Sequence, residues 1–249
     1  NDGTLELIQE LKKNIKIKLI KNERNIGFGA ANNKGIRQAL GEYILLLNSD
    51  ILLEKDTLSK QLRFAQENPI YVASTCKLIL SNNKIDPACH RGFPTVWASL
   101  TYFSKLEKLL PKTKLFGQYH QGWKNLEAVH EVDAISGAFF WIKKEILQQV
   151  GLFDEGFFMY GEDLDLCLRL RQKKYKIAFY PQNTALHLKG KSGRNKIEVE
   201  NLDNTSKAIN YHFYNAMWLF YQKHYLRKYP KIINYLVKKL VTWKRKQYE

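Results

Sequence analysis

Tyr43-Ile-Leu-Leu-Leu-Asn-Ser-Asp50 decides how this 249-residue chain folds. Its first five residues form an apolar run with the length of a buried strand. Asn48, Ser49 and Asp50 follow at once, so the carboxyl end of that strand carries a carboxylate. Upstream, residues 5–13 read as a helix with Thr4 or Asp2 as N-cap, and residues 15–20 alternate as a strand does. Asn25-Ile-Gly-Phe-Gly29 is a glycine loop opening a helix over residues 30–40, which Gly41 closes in the C′ position. Downstream, a helix over residues 57–67 stops at Asn68-Pro69, and a strand follows over 71–80. This alternation of helix and strand is the pattern of an α/β fold with a mainly parallel sheet. Ligands of such sheets sit beyond the carboxyl ends of strands, where Asn48, Ser49 and Asp50 fall.

The chain then changes character. Residues 81–132 are rich in aromatic and turn-forming residues and lack periodicity, as an acceptor-binding insertion or a plain irregular connection would be. A strand over residues 132–142 is broken at Ser136-Gly137, and a short helix occupies 144–150. Phe157-Phe-Met-Tyr-Gly-Glu-Asp-Leu-Asp165 crowds Glu162, Asp163 and Asp165 into four positions, with Leu164, Cys167 and Leu168 at helical spacing. A helix starting there stabilises ionised carboxylates at its N-terminus, which suits a general base; the same groups would also serve as plain helix caps. His187 follows an apolar strand at residues 177–180. Carboxylates and an imidazole at strand ends point to a metal and a base in one cleft.

Composition sets outer bounds. Hydrophobic residues make up 45% of the chain, enough for a core. No apolar run approaches the roughly 20 residues that span a bilayer. Cys76, Cys89 and Cys167 show no CxxC spacing, which argues against a disulfide framework or zinc site and for a reducing, cytoplasmic setting. The net charge of +16 calls for an anionic partner. Residues 205–249 hold ten Lys/Arg and one acid, and read as two helices, over 208–224 and after Pro230. In the second, Ile233, Leu236, Val237, Leu240 and Val241 share a face, opposite Lys238, Lys239, Arg245 and Lys246. Such a helix either lies in an anionic membrane interface or packs on the core with a solvated basic face. No nucleic acid is expected as partner, because no nucleic-acid-binding motif accompanies the charge.

Five segments carry a family resemblance: Asn25-Ile-Gly-Phe-Gly-Ala-Ala-Asn-Asn33, Leu45-Leu-Leu-Asn-Ser-Asp50, Val132-Asp-Ala-Ile-Ser-Gly-Ala138, the stretch from Gly151 to Asp165, and His187-Leu-Lys-Gly-Lys-Ser192. In order and spacing they resemble the family 2 glycosyltransferases of GT-A fold, especially the bacterial rhamnosyltransferase-like branch. The resemblance implies a GT-A (nucleotide-diphospho-sugar transferase, Rossmann-like) domain over 1–192, with a mixed sheet flanked by helices, and a basic helical extension over 193–249. Asn1-Asp-Gly-Thr4 looks like the end of the family's second-strand motif. On that reading a strand, a helix and most of a second strand, about 40 residues, precede Asn1.

The reaction so implied is inverting transfer of a sugar, rhamnose by branch resemblance, from a dTDP- or UDP-linked donor to a hydroxyl of a glycan or lipid-linked acceptor. It belongs to cell-surface polysaccharide synthesis on the inner face of the cell membrane, with residues 230–247 touching anionic lipid. The alternative is an incomplete remnant or partner subunit that binds acceptor or membrane only. By carry-over, Asp163 is the general base, with Glu162 and Asp165 as competitors. Asp50 and His187 hold Mg²⁺ or Mn²⁺, and Asn48 stands where the family's Asp-x-Asp pattern has its first acid. Asn25, Gly27, Gly29, Asn33, Asn48 and Asp50 face the donor. Asp133, Gly137, Asp165 and Trp97 face the sugar and acceptor, and Lys189 and Lys191 either neutralise phosphate or are plain surface lysines.

Overall fold

A computed structural model describes residues 3–188 and 202–249, with side chains of the second stretch described from residue 207. Nine helices and six strands are present among them: α1 (Thr4–Leu11), α2 (Phe28–Gln38), β1 (Tyr43–Leu47), β2 (Ile51–Leu53), α3 (Thr57–Glu67), β3 (Tyr71–Leu80), α4 (Val96–Phe103), α5 (Leu106–Leu109), β4 (His130–Val132), β5 (Phe139–Lys143), α6 (Lys144–Val150), α7 (Glu162–Gln172), β6 (Lys176–His187), α8 (Leu202–His224) and α9 (Lys231–Lys246). One mixed sheet runs in the order β1-β5-β3-β6-β2, with β4 also on β6.

The sheet is not mainly parallel. Among the described residues only the β3·β6 pair is parallel, while β1·β5, β3·β5, β2·β6 and β4·β6 are antiparallel. Alternation of helix and strand identifies the strands but not the direction in which each enters the sheet. Residues 81–132 make the difference: they return the chain from the end at which β3 left, instead of crossing over. Residues 15–20 are not a strand. They lie beside no described ladder partner, and alternation without a partner leaves backbone donors to solvent. Gly41 is likewise not a left-handed C′ residue: α2 ends at an extended Ala39 cap, and Gly41 is absent from the positive-φ glycines. At α1 the N-cap is Gly3, so Thr4 is the first helical residue.

The core lies on both sheet faces. Phe139, Phe140, Ile142, Leu78 and Phe179 are fully buried, and Ala216, Phe220, Tyr221 and Tyr225 of the C-terminal helices join the same cluster. All three cysteines are free and buried; burial pushes the Cys89 and Cys167 thiols up to about 12, so they are inert. No described helix is long and apolar enough to cross a membrane.

Candidate active site

Three distant segments meet at the end of β6. The turn between β1 and β2 delivers Asp50, since Ile51 pairs with His187. A tight return after β3 delivers Asp86, whose amide donates to the Leu78 carbonyl at 2.8 Å. His187 Nε2 stands 3.5 Å from Asp50 Oδ1, and His187 Nδ1 lies 2.7 Å from Asp86 Oδ2. All three side chains are buried, Asp86 completely. A carboxylate on Nδ1 holds the proton there and turns the Nε2 lone pair toward Asp50. An imidazole nitrogen and a carboxylate oxygen then converge on one point, the donor pair of a divalent cation. Among the described residues no group of three or more His, Cys, Asp or Glu is arranged to hold a metal.

A second cluster forms at the start of α7. Two left-handed residues, Tyr160 (φ 67°) and Gly161 (φ 83°), turn the chain into the helix. Asp163 is buried there, and its Oδ2 accepts from Arg91 Nη2 at 2.5 Å and from the Gly137 amide at 3.2 Å. Its Oδ1 accepts from the Leu164 amide at 2.7 Å. A backbone bridge between Arg91 and Ala134 fixes the main chain from which the guanidinium reaches Asp163. Gly137 admits no side chain, because a Cβ would come within 2.9 Å of the Phe28 ring. Glu162 has a buried Oε2 with no hydrogen-bond partner. Burial first, and the Asp163 charge second, push its carboxyl up to about 8. At neutral pH Glu162 therefore keeps its proton, and the cation and amide face Asp163.

Asp86 and Arg91 are absent from the sequence expectations. Both lie in the aperiodic stretch after β3, and their partners are 101 and 72 residues away. The one local signal is Asp86 ahead of Pro87, where its Oδ1 caps a turn by accepting from the Ala88 amide.

The family described as glycosyltransferase like family 2 matches residues 1–202. The chain belongs to glycosyltransferase family 2. Among curated relatives, rhamnosyltransferase WbbL of Escherichia coli K12 is 26% identical over 65% of this chain and 60% of its own length. The poly-beta-1,6-N-acetyl-D-glucosamine synthase of Staphylococcus epidermidis is 27% identical over 73% of this chain and 39% of its own. The family 2 chain thus spans about two fifths to three fifths of the length of these two relatives. Among solved structures, the mannosyltransferase PcManGT of Pyrobaculum calidifontis, in complex with GDP-Man and Mn²⁺, covers all of this chain at a TM-score of 0.55, with 15% identity and 61% of its own chain. GalNAc-T7 with UDP, GalNAc and Mn²⁺ gives 0.55 over 89% of this chain and 41% of its own, at 16% identity. Both are GT-A glycosyltransferases, which fixes the fold.

The remaining expected residues fall outside these two clusters. Gly27 and Gly29 use their small size against protein: a Cβ on Gly27 would sit 2.3 Å from the Phe158 carbonyl, and one on Gly29 3.2 Å from Phe153. Asn33 is buried and bonds Phe153 through both its amide nitrogen and oxygen. Asn25, exposed, accepts from the Gly27 amide at 3.0 Å. The loop expected to face a nucleotide is in this family 2 chain the seam between α2 and residues 153–158. Asp165 is fully buried, and its oxygens take Arg169 Nε at 2.8 Å, Lys223 Nζ at 2.7 Å and His224 Nε2 at 2.7 Å. Burial opposes its charge, but these donors hold its carboxyl down at about 2. It ties α7 to α8 instead of facing a sugar, because three basic groups already surround it. Asp133 accepts from Gln121 Nε2 at 2.6 Å, and Trp97 donates to the Leu115 carbonyl at 2.7 Å while staying 39% exposed. Half-buried Asn48 precedes Asp50 in the same turn. Lys189, Lys191 and Ser192 lie outside the described residues.

Proposed function

We propose that the chain transfers a sugar from a nucleotide-diphosphate donor to a hydroxyl of a glycan or lipid-linked acceptor with inversion, in the synthesis of a surface polysaccharide. The observation that carries this reading is the Asp50–His187–Asp86 chain at the end of β6, in a family 2 fold. Asp50 and His187 Nε2 would hold Mg²⁺ or Mn²⁺, leaving its other positions to phosphate and water oxygens, the usual manner for Mg²⁺. Bound there, the cation neutralises charge on the leaving diphosphate. Asn48 adds an uncharged oxygen for ribose or a coordinated water. A carboxylate offers about four lone-pair sites, and three protein donors reach Asp163, leaving one for the acceptor hydroxyl. Asp163 takes that proton as the acceptor oxygen attacks the anomeric carbon. Neutral Glu162 keeps a second charge from competing. Rhamnose from a dTDP-linked donor is favoured by likeness to the rhamnosyltransferase branch.

Contact between residues 230–247 and anionic lipid would hold the chain at the inner membrane face. Support comes from Ile232, Tyr235, Leu240 and Trp243 of α9, each more than half exposed beside Lys238 and Lys239. The helix packs inward through Ile233, Val237 and Val241, so Leu236 and Leu240 leave the face on which the sequence reading placed them.

The test is release of nucleoside diphosphate from a panel of dTDP-, UDP- and GDP-sugars, with Mn²⁺ or Mg²⁺ and a polyprenyl-linked glycan acceptor. Metal-dependent turnover with one donor supports the reading. No turnover and no metal-dependent binding of any nucleoside diphosphate overturns it.

A further inference from the structure

Helix α4 is inside out. Its buried positions, Ala98 and Thr101, are small or polar and have no exposure. Trp97, Leu100 and Phe103 recur every three residues on its outer face and are 39%, 55% and 52% exposed. An ordinary surface helix does the reverse. Lys105, in a left-handed turn at φ 65°, reverses the chain into α5. Leu109, Leu110 and Leu115 then extend the apolar surface at 73%, 45% and 55% exposure. Contiguous apolar surface of this extent on a soluble chain marks an interaction site.

The charge around it selects the partner. Lys105, Lys108, Lys112 and Lys114 are all exposed between these apolar side chains. Glu107, the only acid between residues 96 and 115, is buried and turned inward, accepting from the His120 amide at 2.8 Å. The outward face therefore carries exposed lysines and apolar side chains and no acid. Aromatic and leucine side chains rimmed by lysines match the boundary between anionic headgroups and acyl chains.

We propose that the α4–α5 hairpin, residues 96–115, inserts its apolar face into an anionic lipid surface. Three residues separate Arg91, which holds Asp163, from the Thr95 N-cap of α4. Docking the hairpin thus brings the base close to the headgroup plane, where a lipid-linked hydroxyl is presented. This deepens the acceptor reading above, but its test does not depend on catalysis.

The experiment is flotation of the full chain with vesicles of phosphatidylcholine alone or with added phosphatidylglycerol. The chain is expected to float with the anionic vesicles only, and less at high salt. Leu109→Glu with Leu110→Glu should cut partitioning about tenfold or more. Each Lys→Gln change at 108, 112 or 114 should lower it about fivefold, the weight of one cation near anionic lipid. Unchanged Mn²⁺ and nucleoside diphosphate binding reports that the variants fold. Full vesicle binding by the Leu109/Leu110 variant, or loss only on Leu240→Glu in α9, overturns the proposal. So does a wild-type dimer that this variant turns into a monomer, which would make the patch a contact with a second copy.

Discussion

A single proton separates Glu162 from Asp163. Glu162 carries an unpartnered buried oxygen and a carboxyl pushed up to about 8. A raised folded pKa adds stability that is complete below the unfolded value and fades as pH climbs through the folded one. Wild-type melting temperature should therefore fall between about pH 4.5 and 8 relative to Glu162→Gln, read as the difference between the two melting curves at each pH. Asp163→Asn should lower kcat by about 10²–10⁴-fold with Mn²⁺ and nucleotide binding intact, as measured by single-turnover transfer and calorimetry. Asp86 acts through His187. Asp86→Asn keeps an oxygen for the Ala88 amide but loses the charge on Nδ1. The expected result is Mn²⁺ binding weaker by about 10- to 100-fold in electron paramagnetic resonance titration, with the melting temperature little changed.

At the scale of elements, Asp165 is the pin between α7 and α8. Asp165→Ala takes the buried carboxylate from Arg169 and His224, while Lys223 keeps Asp154 at 2.6 Å. The expected cost is about 3 kcal/mol, seen in urea unfolding. A carboxyl held near 2 stabilises fully above the unfolded carboxylate value of about 3.9, and that contribution fades as pH falls toward 2. Acid should therefore release α8 early, and proteolysis of residues 207–224 should accelerate below about pH 4 in wild type. Helices α3 and α6 and strands β1 and β3 were readable to the residue, because each is a self-contained periodic run between breakers. Strand direction was not readable. It depends on where residues 81–132 re-enter the sheet, and that stretch carries no period. The candidate site divides in the same way. Asp50, His187, Glu162 and Asp163 stand out as carboxylates or imidazole at strand and helix ends, whereas Asp86 and Arg91 owe their places to contacts 101 and 72 residues away. Gly27 and Gly29 show the limit of a motif: a tight glycine loop has the same local sequence whether phosphate or a neighbouring carbonyl approaches it.

For the whole molecule, charge and apolar surface are segregated. The net +16 is concentrated away from the buried carboxylates, in α9 and in the lysines of the hairpin. Removal of divalent cations by EDTA should abolish transfer while leaving the melting temperature of the nucleotide-free chain within a degree or so, since the strands are held by backbone ladders and a buried core. Regain of activity on adding Mn²⁺ would complete that check.

Strand β6 is a stiff beam, paired to β3 along one side and to β4 and β2 along the other, and His187 is its tip. Asp163 stands on a separate element, the buried first turn of α7. On the proposed reading the donor's diphosphate would meet the beam's tip and the acceptor the helix. The expected kinetic signature is then an obligatory queue, donor first and acceptor second, with nucleoside diphosphate competing against the donor alone in product-inhibition plots.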